Sequence, residues 1–452
     1  MVAVVAGVLS LGLLTALAVS QPPSTDTRTS APIPAGPPPE RGDPVLAEQL
    51  ADQARQTPDT DQQARLRLLL AAHVVATDRA IHRINLAEAL LESVQPVNLI
   101  RAKLDQAGTI GHADWTASGS FLVTNGTAGG QLWQTEWVGS PPRIRLAGSL
   151  GGPVASAAGG GTLERSNVVV AGGDVAVLWR AVALVSPLRL GQLDTHADVV
   201  AATADGKTVV AVAASTATVW DASQFEPIAK AALTYDRPVT ALAFSPGSQR
   251  MLAAGHADGG VTVDAINADS TRSIRRSLNG TGGPVDAVAV SADGSTVAAL
   301  HQDGTLSVWN LRATSPQLAG TAATAVKPGA HRLWLSDTGD YALLADAVTA
   351  PPLWSLADRA KPHPMGTLSV AADPTVPAMT SADGRLVATI NAGDILAIWD
   401  VKPIVDLLAA PIPQACQLAG LTEQRWRQLV PNPAFTNPCT PPGLPTIGVS
   451  HD

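Results

Sequence analysis

The sequence predicts an all-β fold, a seven-bladed β-propeller, preceded by a short helical hairpin and an N-terminal transmembrane or signal helix. Three observations predict the propeller. Tryptophan closes a strand-like run at a nearly constant interval, and the turns between those tryptophans repeat one grammar. In addition, 39 glycines and 35 prolines among 452 residues punctuate the chain too often for long helices. This length exceeds what a single core organises, so a repeat array or several domains is required. A formal charge of −8 argues against nucleic acid as a partner, because phosphate recognition needs a basic patch.

Residues 1–20 make the first element. Val2 to Ser20 is an uncharged run long enough to cross a bilayer as a helix or to serve as a signal-peptide core. Ala16-Leu17-Ala18 and Ala18-Val19-Ser20 both have the small-residue pattern that a signal-cleavage site needs. No Lys or Arg precedes the run, which withholds an orientation from the positive-inside rule and allows Met1 to be an internal start. We read the segment as an uncleaved single-pass anchor with the remainder outside the cytoplasm; the alternative is a secreted chain after signal cleavage. Residues 21–43 are rich in Pro, Ser and Thr and are expected to form an extended tether.

Residues 44–95 carry apolar positions at helical spacing. Val45, Leu46, Leu50 and Ala54 suggest one short helix ending near Pro58, and Asp61–Ala76 with Arg79–Val94 reads as a helical hairpin broken at Thr77-Asp78. His73 and His82 within it are expected at the surface or core edge rather than on a metal.

Residues 96–402 are governed by the repeat. Trp133, Trp179, Trp220, Trp309, Trp354 and Trp399 follow one another at intervals of 46, 41, 89, 45 and 45 residues. The double interval hides a seventh unit, GVTVDAIN, in which Asp264 takes the tryptophan slot. Stretches 239–263 and 284–309 align without a gap: an alternating strand, a Ser-Pro-Gly or Ser-Ala-Asp-Gly turn, a second strand, an Asp-Gly turn, and a third strand. Asp-Gly supplies the positive φ that a tight hairpin needs. Such a blade cannot cover its own faces, so stacking in a ring is the stable arrangement.

The Trp-Asp pairs 220–221 and 399–400, the near-pair 309–310 and the Ser-x-Asp-Gly turns 291–294 and 381–384 resemble the WD40-repeat family of seven-bladed propellers. The Gly-His that opens a family repeat is nearly missing. Gly111-His112 stands in another register, His196 precedes its strand too closely, and Tyr235 and Thr281 occupy the histidine position. The resemblance therefore implies the fold together with a His–Ser–Asp–Trp hydrogen-bond tetrad broken in most blades. The helical lead-in and tail are similar to those of bacterial membrane-anchored WD40 proteins, some of which hang from a kinase or STAND-type ATPase.

After Trp399 no repeat-like residues remain to give the last blade its outer strand. VNLIRAK (97–103) is extended in character and expected to pair there, joining first and last blades. In the tail, 403–452, Thr422 can cap a helix through Trp426, and Cys416 and Cys439 are expected to bridge in an oxidising compartment.

Chemistry is hard to find. Asp205-Gly206-Lys207-Thr208 mimics the end of a P-loop but sits at a hairpin turn, and no H-E-x-x-H, G-x-S-x-G or strand-linked G-x-G-x-x-G occurs. The innermost strands are small and apolar, with Asp114, Asp286 and His331 as isolated exceptions. No catalytic, cofactor or metal residue is therefore assigned. One column is polar: Asn125, His256, His301, Asp346 and Asn391 lie eight residues before their tryptophan slots on five consecutive blades, with Ala171 and Val212 completing it. They are expected to end second strands near one face, either as an interaction rim that titrates near neutrality or as local hydrogen-bonding residues. Trp334 is expected in the core, and Trp137 at a strand end.

The expected function is a non-enzymatic protein-interaction or scaffolding module, monomeric, attached to a membrane through residues 2–20, with a protein partner and no cofactor. The rival readings are a regulatory half of a larger signalling protein and a propeller hydrolase or lactonase.

Overall fold

A computed structural model describes residues 42–439 apart from short stretches, of which 106–109, 138–141 and 371–375 are the longest. The expected membrane span and residues 21–41 of the expected tether lie outside the described residues, whereas Asp43 at its end already caps the first helix. No helix among the described residues is long and apolar enough to cross a membrane.

Seven four-stranded antiparallel sheets follow one another along the chain. Blade 1 spans residues 112–149, blade 2 156–193, blade 3 199–234, blade 4 239–278, blade 5 285–323 and blade 6 332–367. Blade 7 takes its three inner strands from residues 379–400 and its outermost from Val97–Lys103. That closing strand pairs antiparallel with Ile395–Asp400, Asn98 opposite Trp399 and Ile100 opposite Ile398, as expected from the sequence.

Where the repeat grammar suggested alternation, the second strands are buried on both faces. Val209, Val210, Ala211 and Val212 are all fully buried in blade 3, and Thr296 through His301 are buried in blade 5. Each blade is sandwiched between two neighbours, so a middle strand has no solvent side.

The neighbours are also tied through the backbone at the turn between first and second strands. Ala117 N–H donates to Gly159 O (2.9 Å) and Ala382 N–H to Ala117 O (2.9 Å), linking blades 7, 1 and 2. Gly161 N–H donates to Ala204 O (2.8 Å) between blades 2 and 3, and Asp293 N–H to Asp337 O (3.0 Å) between blades 5 and 6. The approach is closest at Gly160, where a Cβ would come 2.0 Å from Thr203 O, so no other residue fits.

Six α-helices among the described residues make a second layer. Pro44–Gln56 (α1), Gln62–Val75 (α2) and Arg79–Leu91 (α3) precede the ring; Lys402–Ala409 (α4), Pro411–Ala419 (α5) and Glu423–Leu429 (α6) follow it. Asp43, Asp61 and Thr422 cap α1, α2 and α6 with side-chain oxygens. The helix expected around Trp426 is thus the third after the ring among the described residues. Pro403, Pro411 and Pro413 sit in the first turns of α4 and α5, where a missing N–H costs nothing, but proline punctuation reads from sequence as loop. The lead-in and the tail share one core: α2 and α3 contact α5, Arg67 Nε donates to Ala419 O (2.7 Å), and Trp426 is fully buried. This core continues into blades 6 and 7 through Tyr341, Leu343, Leu353, Val387 and Val401. Cys416 and Cys439 form a disulfide with their Cα atoms 5.2 Å apart, pinning the chain after α6 to α5.

Candidate functional site

The residues of the polar column stand at, next to or just past the ends of second strands. His256, His301 and Asp346 are buried, while Asn125 and Asn391 are half-buried. His301 Nδ1 donates to Gly283 O (2.7 Å), so its Nε2 accepts from the Ser307 hydroxyl (2.9 Å). His256 Nε2 lies 2.8 Å from Thr262 Oγ1, and burial lowers its pKa despite opposing bonds to the Pro238 and Arg237 backbone. Asp346 accepts from the Lys327 and Thr349 backbone N–H groups (2.9 and 2.6 Å). These three side chains bond within or beside their own blades.

At the end of the central channel where the innermost strands begin, the isolated charges of the sequence acquire partners. Asp114 of blade 1 meets His112 Nε2 (2.7 Å), the Ala157 N–H of blade 2 (3.1 Å) and Arg332 Nη2 of blade 6 (2.8 Å). Arg332 can cross because the innermost strand of blade 7 is only Met379–Thr380. Burial works against ionised Asp114, but Arg332 and His112 outweigh it and hold the carboxyl below its ordinary range. Nearby, His331 donates from Nε2 to Lys327 O (2.8 Å), and its Nδ1 contacts Asp286 Oδ2 at 2.7 Å. Burial disfavours the imidazolium, yet Asp286 and the Lys327 carbonyl raise the His331 pKa overall. The carboxylates are thus matched with cations rather than with each other, and no group of three or more potential metal ligands occurs among the described residues. Sequence reading found Asp114, Asp286 and His331 but missed His112 and Arg332. The i, i+2 spacing of His112 and Asp114 was the available signal.

The opposite end of the channel is an apolar funnel. The turns carrying the blade-to-blade hydrogen bonds surround a cavity of about 550 Å³, lined by Ala117, Ala204, Pro246, Ala292 and Ala382. A narrower space of about 130 Å³ continues inward past Phe244 and Trp334. Asp293, Asp337 and Asp383 stand on the funnel rim. Burial opposes the Asp293 charge, but bonds from Ser291, Ser295 and Arg312 bring its pKa down to about 2. Trp334, expected in the core, is instead half-buried: it lines the narrower inner space, packs against the core that blades 6 and 7 share with the helices, and donates from Nε1 to Ala382 O (3.3 Å). Trp137 is half-buried beside blades 7 and 1. The P-loop mimic is the turn between the first and second strands of blade 3, with Asp205 Oδ1 accepting from Thr203 Oγ1 and Lys207 N.

Residues 272–310 match the family model "WD domain, G-beta repeat". The match takes in the outermost strand of blade 4 and the first three strands of blade 5. Together with seven blades it supports the WD40 propeller family. No curated protein matches the chain.

Compared with the WD40 pattern, the ring keeps the tryptophan position in six of its seven blades and little of the tetrad. Trp133 Nε1 donates to Thr124 Oγ1 (2.9 Å) and Trp399 Nε1 to Thr389 Oγ1 (3.3 Å), while Trp309 Nε1 reaches Asn279 O (3.1 Å). The indole N–H groups of Trp179, Trp220 and Trp354 are buried with no partner among the described residues. Blade 4 substitutes a different device. Asp264, fully buried in the tryptophan slot, accepts from Tyr235 Oη (3.0 Å) and from Arg275 Nε and Nη2 (2.8 and 3.1 Å). The Arg275 guanidinium also lies 4.6 Å over the Tyr235 ring. Burial and then the Asp264 charge drive the Tyr235 pKa up, and the bonds to Asp264 raise that of Arg275. Tyr235 and Asp264 were legible as departures; Arg275, directly across the sheet from Asp264, was the missing third member.

Proposed function

We propose that this chain is a non-enzymatic protein-interaction or scaffolding module, tethered to a membrane through residues 2–20 and displayed outside the cytoplasm. The observation that carries the interaction reading is the alanine-lined funnel, held open by turns that hydrogen-bond from blade to blade. A site set on such rigid supports suits recognition by shape. Its acidic rim favours a partner that inserts a small apolar side chain flanked by positive charge. The pairing of the channel charges supports recognition over catalysis, since acid–base chemistry needs groups free to exchange protons. The Cys416–Cys439 bridge supports an oxidising compartment.

The test is site-specific photo-crosslinking in intact cells from Ala204, with Ala382→Arg as the blocking variant. The reading expects one dominant crosslinked protein that disappears in Ala382→Arg while the far-ultraviolet spectrum is unchanged. Equal capture with and without the arginine defeats the funnel as the site. Labelling of Cys416 and Cys439 without prior reduction defeats the placement outside the cytoplasm.

A further inference from the structure

The outer rim of the ring carries an unusual surface. The outermost strands of the seven blades hold nine Lys or Arg residues and no Asp or Glu, in a chain whose formal charge is −8. Charged outer strands protect sheet edges, which accounts for lysine and arginine there but not for exposed apolar neighbours.

Those neighbours concentrate where blades 2 and 3 turn from third to fourth strand. Leu184 is 73% exposed, Val185 56% and Phe225 57%, with Leu188 and Ile228 following on the adjoining strands. Leu184 also has φ of +61°, a conformation that ordinarily belongs to glycine or asparagine. Its N–H is fixed by Gln134 Oε1 of blade 1 (2.8 Å), so a strained backbone holds a leucine out into solvent.

Two cations frame the Phe225 loop. Arg165 Nη2 donates to Ser223 O (2.6 Å) and Arg180 Nη2 to Gln224 O (3.0 Å). Neither guanidinium has a carboxylate partner among the described residues, and burial with the nearby Arg165 charge lowers the Arg180 pKa. Arg189 adds a third exposed cation, against the exposed carboxylates Glu164 and Glu226.

We infer that this corner, Leu184, Val185 and Phe225 with Arg165 and Arg180, rests on the surface of an anionic lipid bilayer. Side chains exposed to this degree stand at loop tips, not in a groove. A protein partner would need about 800 Å² of complementary surface, whereas a bilayer interface accepts protruding apolar groups directly. Arginines whose charge no carboxylate neutralises, beside them, match anionic headgroups. The inference does not rest on residues 2–20 or on the funnel.

The test uses the full chain, whose native cysteines are both in the disulfide. Leu184→Cys, Phe225→Cys and, as a control on blade 5, Gln302→Cys each carry an environment-sensitive fluorophore. With vesicles containing about 30 mol% phosphatidylglycerol, the labels at 184 and 225 are expected to shift to the blue and to be quenched by brominated acyl chains, while that at 302 is unmoved. Pure phosphatidylcholine, or Arg165→Gln with Arg180→Gln, should weaken the response roughly tenfold. Vesicle binding with all three labels unchanged, as an N-terminal anchor alone would give, overturns the inference. So does a response to poly-glutamate but not to vesicles, which would assign the corner to an acidic polypeptide.

Discussion

Arg332 of blade 6 reaches past blade 7 to Asp114 of blade 1, its Nη2 2.8 Å from the carboxylate Oδ1. The two side chains retain 35% and 18% of their exposure, so the pair is sheltered without being dry. This bond ties together the two blades that flank the closure, where the inner strand is shortest.

Arg332→Met should therefore cost about 1–3 kcal/mol, less than breaking a fully buried pair, because water can partly solvate the orphaned carboxylate. The signature is in pH. Asp114 has a folded-state pKa below its unfolded one, so its contribution is present above about pH 4 and is lost as pH falls through the folded value. Urea denaturation should show wild type and Arg332→Met converging in acid; a gap that stays constant below pH 4 contradicts the pairing.

His331 works in the opposite direction. Its folded pKa is raised, so the stabilisation is complete below about 6.5 and disappears as pH climbs through the folded value. The stability difference between wild type and His331→Gln should be largest near pH 6 and shrink on the alkaline side. An unchanged difference from pH 6 to 9 would show that the imidazolium plays no part.

The Asp264 site should be the most sensitive in the ring. Arg275→Met leaves a fully buried carboxylate with only the Tyr235 hydroxyl, and removing one member of a buried pair costs about 3–5 kcal/mol. Asp264→Leu with Arg275→Leu removes both charges and should be less damaging than Arg275→Met alone. Thermal unfolding of the three proteins decides the order; a double variant worse than the single would mean that the charges are not coupled.

Much of this architecture was legible because repetition is a property of the chain. The tryptophan interval located every blade, and Val97–Lys103 could be assigned by elimination, since a ring must pair its last edge. What repetition could not show was contact between units. Asp114 and Arg332 are 218 residues apart, and nothing near either one announces the other. The helical layer failed for a related reason: α4 and α5 begin with prolines that read as loop until their burial against α2 and α3 is known. Polarity at His256 and His301 was visible, but not their burial, which depends on the adjacent loops and blades.

The disulfide joins residues 23 apart, α5 to the segment beyond α6. Closing a loop of that size restricts the unfolded chain by roughly 3 kcal/mol. Cys416→Ser should lower the unfolding temperature of the helical layer, and because that layer shares its core with blades 6 and 7, the ring should loosen with it. Hydrogen exchange checks this: protection should fall in α5, α6 and blade 6 before blade 3.

The closing strand is the last element on which the ring depends. Ile100 is 4% exposed and pairs with Ile398 inside the core shared by blades 7 and 1. Ile100→Ala should cost about 2–4 kcal/mol through lost burial and the cavity left behind. Ile228 stands on the outermost strand of blade 3 but is 47% exposed, so Ile228→Ala should cost a small fraction of that. Equal effects would mean that closure by Val97–Lys103 contributes no more than any other outer strand, whereas a tenfold or greater rise in unfolding rate for Ile100→Ala alone would mark the seam as the place where the ring opens.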